Sequence, residues 1–153
     1  MKSIISTTFA LVAIAATLLS FSSKSPTGGE GFEILVNGKA VLQKYGSDMD
    51  NVNTLQLSKT LPTDKLTIRY HHCGRVGKNR IVTIKDGNDN TVKVFKFTDV
   101  PTPVGDMSCT MQDLISLQKN GNTTFKVYYS STELPKGRQL VSVIFGSSNK
   151  VQP

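Results

Sequence analysis

Short stretches of the chain alternate between apolar and polar residues, which is the pattern of half-buried β-strands. In the clearest stretch, residues 65–73, Leu66, Ile68 and Tyr70 fall on one face of an extended chain and polar residues fall on the other. Further strand-like stretches are residues 32–36, 39–45, 54–58, 80–85, 91–98, 123–131 and 140–147. The pattern therefore predicts about eight short strands separated by turns.

Turn residues between these stretches indicate which strands pair. Asn37 and Gly38 favour a type I′ hairpin between the first two strands, because both accept the positive φ angles that this turn requires. Residues 86–90 predict a second hairpin. In its second strand the apolar side changes between Val94 and Phe95, which indicates a bulge or a strand that is buried on both faces.

The last third of the chain predicts one short helix followed by a hairpin. Thr110 precedes Asp113 by three residues, which is the spacing of an N-terminal capping pattern. Apolar residues of the next turn share one helical face, and Asn120-Gly121 favours a helix end. Residues 134–137 contain Pro and Gly and predict the turn that joins the last two strands.

Together these elements predict an all-β fold, an antiparallel β-sandwich of about eight short strands with one short helix. In general architecture it resembles an immunoglobulin-like domain. The chain contains no tryptophan, however, so the Cys…Trp…Cys pattern of the true immunoglobulin family is absent. Residues 32–150 are long enough to form a single domain with its own core.

Residues 1–22 predict a signal peptide. Lys2 gives a positive start, residues 9–19 form a short apolar run, and small residues follow. The alternative is a retained membrane anchor, but this run is shorter than the roughly 20 residues that span a bilayer. We therefore expect cleavage, a flexible tether at residues 23–31, and a secreted or periplasmic protein without stable membrane insertion.

Charge narrows the choice of partner. The chain carries 18 Lys and Arg against 11 Asp and Glu, a formal net charge of +7. Nucleic-acid binding requires cations gathered on one face among stacking aromatics, whereas here the cations are spread along the chain and the aromatics fall inside predicted strands. The distribution therefore favours the solvated surface of a mildly basic exported protein over a nucleic-acid interface.

Cys73 and Cys109 are the two cysteines of the chain. An even pair in an exported protein predicts a disulfide, here between a strand end and a helix start. The alternative is a metal or thiol-redox site formed by His71, Cys73 and Cys109, because His71 and Cys73 fall on the same face of an extended strand. This set lacks a fourth ligand, so we expect the disulfide, no bound metal and no cofactor.

A cationic loop, residues 74–80, follows the strand that carries these side chains. Arg75, Lys78 and Arg80 form the densest positive cluster outside the predicted signal peptide. The loop is not a phosphate-binding loop, because a strand follows it where a helix N-terminus would present amide groups to phosphate. It is either a solvated connection or a contact site for a partner.

Catalytic motifs are scarce in the sequence. The two histidines are adjacent, no Gly-x-Ser-x-Gly motif occurs, and the acidic residues lie mostly in turns. The pattern therefore favours a non-enzymatic exported domain that binds an unknown protein or polymer partner, or serves as an envelope accessory, through loops or an exposed sheet edge. The alternative function is metal handling or thiol redox chemistry at the histidine and cysteine residues named above.

Overall fold

A computed structural model describes residues 29–118 and 123–146 of the chain. Within these ranges the strands are β1 Glu30–Val36, β2 Lys39–Tyr45, β3 Asn53–Leu57, β4 Lys65–His72, β5 Ile81–Lys85, β6 Thr91–Lys96, β7 Met107–Thr110, β8 Thr124–Ser131 and β9 Leu134–Phe145. A 3₁₀ helix spans Gly46–Asp50 and helix α1 spans Met111–Ile115. The predicted all-β fold is confirmed, whereas the predicted signal peptide lies outside the described residues.

The strands form two sheets. One has four strands in the order β2-β1-β4-β7, and the other has five in the order β3-β9-β8-β5-β6. Neighbouring strands are antiparallel except β3 and β9, which pair in parallel between Asn53 and Leu57. The prediction of a purely antiparallel arrangement is therefore wrong for β3. Its partner β9 is distant in sequence, so no hairpin dictates their relative direction.

One hydrophobic core draws on both sheets and on α1. Its buried side chains come from alternate positions of the strands, as the periodicity predicts. They include Phe32, Ile34, Leu66, Ile68, Tyr70, Val82, Ile84, Met111, Leu114, Phe125, Val127, Tyr129, Val141 and Val143. Within the described residues, no helix is long and apolar enough to cross a membrane.

The first hairpin forms as the sequence predicts. Asn37 and Gly38 have φ angles of 50° and 79°, which is the left-handed region that a type I′ turn needs. Asn37 also fixes the hairpin to the start of β4, because its side chain donates to Asp64 at 2.9 Å and accepts from the Lys65 N–H at 2.9 Å. The strand β1 begins at Glu30, two residues before the predicted start of the domain.

The second hairpin pairs β5 with β6, but its irregularity differs from the prediction. Ile84 pairs with Lys93 and Lys85 pairs with Thr91, so Val92 is the extra residue of a bulge. The bulge therefore lies nearer to the turn than the change of apolar side at Val94 indicates. Nor is β6 buried on both faces, because it lies at the edge of its sheet and most of its residues are exposed.

Strand β7 was not predicted and precedes the helix directly. The predicted cap is confirmed, because the Thr110 hydroxyl accepts from the Asp113 N–H and the Asp113 carboxylate accepts from the Thr110 N–H. The helix ends at Ile115. It is therefore shorter than predicted, and the predicted stop at residues 120–121 lies outside the described part of the chain.

The last hairpin turns earlier than predicted. Ser131 pairs with Leu134, so residues 132–133 form the turn and residues 134–137 belong to β9. Pro135 is tolerated there because it follows the first strand residue, next to an irregularity in the pairing of β8 with β9. The proline and glycine therefore mark a distorted strand start rather than the turn itself.

Candidate functional site

The two cysteines lie at opposite ends of β4. Cys109, on β7, pairs with Leu66 near the start of β4, whereas Cys73 directly follows the end of that strand. Seven residues of extended chain separate Leu66 from Cys73, which corresponds to about 23 Å. A disulfide requires Cα atoms within about 7 Å. Both cysteines are free in the structure, so the predicted disulfide is not formed.

The side chains of the alternative metal or thiol-redox site do not converge either. His71 is five positions along β4 from the residue that pairs with Cys109, or about 17 Å away. Residues 29–118 and 123–146 contain no group of three His, Cys, Asp or Glu side chains that could hold a metal ion. Burial also raises the pKa of Cys109 to about 11, which keeps this thiol protonated and unreactive.

His72 faces the core, on the same side of β4 as Tyr70. Its Nε2 atom lies 2.9 Å from the Tyr129 hydroxyl and 3.3 Å from the Ser131 hydroxyl, and only 3% of the residue is exposed. Burial lowers the pKa of the imidazole, so His72 is neutral at pH 7. A Cβ at Gly77 would lie 3.0 Å from this ring, so the cationic loop packs closely over it. The cluster is sealed from solvent and stabilises the junction of β4 with β8.

A polar network covers the opposite face of β1, β2 and β4. Tyr45 donates to Glu33 at 2.6 Å, and Arg69 lies 3.6 Å from the same carboxylate and 2.6 Å from Asp106. The hydrogen bond from Arg69 lowers the pKa of Asp106. His71 Nε2 is 4.0 Å from Glu33, and burial lowers the pKa of His71. Glu33, Tyr45, Arg69 and Asp106 pair with one another, whereas the buried His71 Nε2 has no hydrogen-bond partner among the described residues. The network ties three strands and Asp106 together.

The cationic loop contributes two of its three predicted contact residues to the surface. Arg75 and Lys78 are exposed. Arg80 is 5% exposed, and its guanidinium donates to the carbonyl oxygens of Gly105 at 3.0 Å and Thr98 at 2.7 Å. Arg80 precedes the buried Val82 by two residues on the same side of the chain, which explains why it points inward. It therefore supports the connection to β7 instead of contacting solvent.

Strand β6 forms an exposed edge that the sequence did not single out as a site. Within the described ranges it pairs with β5 only. Val92 and Val94 are 39% and 45% exposed and lie two residues apart on this strand. The signal in the sequence was the change of apolar face between Val94 and Phe95, which predicted a bulge or burial on both faces rather than an exposed edge.

The backbone of β6 also presents unpaired groups. The Phe97 N–H donates to the Arg80 carbonyl at 3.0 Å, so Phe97 belongs to a hydrogen-bonded pair with β5. Hydrogen-bonded and non-hydrogen-bonded pairs alternate along an antiparallel ladder. Val94 and Lys96 alternate with Phe95 and Phe97 along the strand. The N–H and C=O groups of Val94 and Lys96 therefore point away from β5. We define residues 92–96 as the β6 edge.

The β6 edge carries two cations and adjoins a cavity. Lys93 and Lys96 form no ion pair within the described residues, and the Lys93 ammonium lies 5.5 Å from the Phe95 ring centre. A surface cavity of about 200 Å³ adjoins the Lys96 end of the edge. Its lining residues are Asn79, Arg80, Ile81, Lys96 and Phe97. The edge therefore combines apolar side chains, positive charge and unpaired backbone groups at one place.

Comparison with known proteins gives no family assignment. No protein-family model matches the chain, and no curated protein matches it. The choice of candidate site therefore depends on the geometry of the described residues.

Proposed function

We propose that the chain is an exported, non-enzymatic β-sandwich domain that binds a protein or polymer partner through the β6 edge. The sandwich arrangement is supported by the single core to which both sheets contribute. Export is supported by the predicted signal peptide at residues 1–22. In this proposal the domain is a rigid support and the edge is its contact surface.

The observation that carries the proposal is the pair of exposed valines on an edge strand. Val92 and Val94 are two of the five exposed large hydrophobic residues in the described part of the chain, and they lie two residues apart on β6. An edge strand with exposed apolar side chains can pair with another chain. Exposed valines beside outward-facing backbone groups favour a surface used for binding.

The edge of the other sheet at β2 suits this role less well. On the open face of β2, Gln43 and Tyr45 both donate to Glu33, at 3.3 and 2.6 Å, and their polar groups are already engaged. Only Val41 is a strongly exposed apolar residue on that strand. The β6 edge is therefore the better candidate of the two.

The cationic loop is a second part of the proposed contact surface. Arg75 and Lys78 are exposed, and Asn79 of the same loop lines the cavity beside Lys96. A partner that lies along β6 and extends past Lys96 would reach this loop. The positive charge there would favour an acidic partner.

Site-directed photo-cross-linking tests the proposal. A photoreactive amino acid at position 94 is expected to give one discrete adduct in the exported fraction of the source cells. The same amino acid at position 52, a slightly more exposed valine outside the edge, is the matched control. The adduct at position 94 should disappear when Val92 is changed to Lys. Equal adducts at both positions, or none at position 94, would contradict the proposal.

A separate measurement tests export. The intact mass of the protein recovered outside the cytoplasm is expected to correspond to loss of residues 1–22. A retained leader would support the membrane-anchor alternative instead. This result is independent of the cross-linking experiment.

A further inference from the structure

The β6 edge carries information about the chemistry of its partner. We infer that the edge accepts an extended segment of the partner as an added β-strand, an inference that rests on the proposed function. We infer further that four consecutive residues of this segment follow the order acidic, apolar, apolar, acidic. The inference comes from the backbone, side-chain and charge pattern of residues 93–96.

The backbone defines where an added strand can pair. Val94 and Lys96 direct N–H and C=O groups away from β5, so the edge offers two donors and two acceptors. A partner strand would lie about 4.8 Å away to satisfy them. The bulge at Val92 limits regular pairing at one end. Pairing is also limited at the other end, because the Thr98 carbonyl oxygen already accepts a hydrogen bond from Arg80.

Side-chain alternation defines what lies opposite each residue. Val94 and Lys96 pair with Thr83 and Ile81 and share their open face, whereas Lys93 and Phe95 share the face of the buried residues of β5. Directly opposed residues on neighbouring strands contact each other. On the added strand, acidic residues therefore pair best opposite Lys93 and Lys96, and apolar residues pair best opposite Val94 and Phe95.

The charge of the edge argues against a second copy of the chain as the partner. Pairing of two β6 edges would bring Lys93 and Lys96 of both copies into one short strand pair, and residues 92–96 contain no acidic residue to offset them. Lysines on an edge are a common device against self-association. An acidic segment offsets both lysines.

The cavity beside Lys96 supplies a place for a side chain of the added strand. It measures about 200 Å³ and includes Lys96 in its lining. The nearby Asp99 carboxylate accepts from the Asn79 N–H at 2.8 Å. An acidic side chain opposite Lys96 would lie beside this cavity.

Two synthetic peptides test the inference directly. The acidic probe has the central sequence Glu-Val-Val-Glu, and the basic probe has Lys-Val-Val-Lys in the same flanking sequence. Both cores are palindromic and suit either strand direction. We expect the acidic probe to bind the protein roughly tenfold more tightly than the basic probe, since two charge pairs change sign. We also expect it to slow hydrogen exchange at the Val94 and Lys96 amides.

Three variants separate the backbone and charge contributions. Val94→Pro removes an outward N–H that the β5 ladder does not use and is expected to abolish probe binding. Val94→Thr keeps that N–H and should retain most of the probe binding. Thermal unfolding of both variants checks that they fold. A double change of Lys93 and Lys96 to Glu should reverse the preference, so that the basic probe binds more tightly.

The outcomes distinguish this inference from the proposed function. If the position 94 cross-link forms but both probes bind equally, or neither binds, the inference is wrong and the proposed function stands. If the cross-link is also absent, both are wrong. Concentration-dependent dimers that Val94→Pro abolishes would assign the edge to a second copy and overturn the inference.

Discussion

The Nε2 atom of His72 lies 2.9 Å from the hydroxyl oxygen of Tyr129, and this contact joins the two sheets. His72 belongs to β4 of the four-stranded sheet, and Tyr129 belongs to β8 of the five-stranded sheet. Tyr70 stacks on Tyr129 with ring centres 4.3 Å apart. A buried polar contact therefore lies within an aromatic cluster at the interface of the sheets, where an unpaired polar atom is costly.

Removing the Tyr129 hydroxyl should destabilise the protein. Tyr129→Phe withdraws the nearer partner of His72 Nε2, and a buried group left poorly paired costs about 1–3 kcal/mol. Urea unfolding monitored by circular dichroism measures the change. Tyr128→Phe is the matched control, because Tyr128 is on the same strand but faces outward and bonds to Gln139. Equal losses in the two variants would contradict the importance of the buried contact.

Stability should fall when the solution is acidified below neutral pH. Burial lowers the pKa of His72 in the folded protein, whereas in the unfolded chain it returns to its ordinary value of 6.5. The unfolded state then binds more protons, so this contribution to stability is present above pH 6.5 and is lost as pH decreases through the folded pKa. The pKa of His71 shifts in the same direction and adds to the effect.

The measurement is the free energy of unfolding at a series of pH values from 8 to 5. His72→Asn should reduce the pH dependence, even if the variant is less stable at every pH. Proton resonances of the His72 ring should titrate with a midpoint below 6.5. A pH dependence unchanged by His72→Asn, or a stability that rises on acidification, would exclude this explanation.

The two thiols should differ in reactivity. Cys73 is exposed after β4, whereas burial raises the pKa of Cys109 to about 11. Iodoacetamide at pH 8 is expected to add one group rapidly to the native protein and a second only after denaturation, without any reductant. Intact mass spectrometry counts the adducts, and Cys73→Ser should remove the rapid one. Resistance of both cysteines after denaturation would show a disulfide and contradict the structure.

Local signals in the sequence were the most dependable. Asn37-Gly38 and the Thr110 cap form as predicted, because turns and helix caps are determined by a few neighbouring residues. The alternation of residues 65–73 is also confirmed, because Leu66, Ile68 and Tyr70 are buried together on one face of β4. These features need no knowledge of which strands are neighbours in a sheet.

Features that depend on strand order could not be derived in the same way. The disulfide prediction assumed that Cys109 begins a helix near the end of β4, whereas β7 pairs its residue with Leu66 at the start of β4. The sequence of β6 predicted a bulge or burial on both faces, and nothing in it shows that the strand has a neighbour on one side only. Arg80 was grouped with exposed cations because its carbonyl partners, Thr98 and Gly105, lie on a later connection.

Removing the helix cap should have a measurable cost. Thr110→Ala eliminates the hydroxyl that accepts from the Asp113 N–H, and such a change typically costs about 1 kcal/mol. Helix α1 is short, but its Met111 and Leu114 are buried in the core, so loosening its start also affects packing. Gln112→Ala in the same helix is the control, because Gln112 is exposed, with an expected change within about 0.5 kcal/mol. Equal unfolding midpoints for the two variants would contradict this role of Thr110.

Val100 and the inward-pointing Arg80 leave no room for a side chain at Gly105. A Cβ at Gly105 would clash with Val100 Cγ2 and would lie 2.6 Å from Arg80 Nη1, so one or both of these side chains would have to move. Gly105→Ala should cost about 1–3 kcal/mol, as overpacking of a filled site does. Gly87→Ala is the control, because a Cβ there meets nothing within 4 Å. Similar free energies of unfolding for the two alanine variants would contradict this close packing around Gly105.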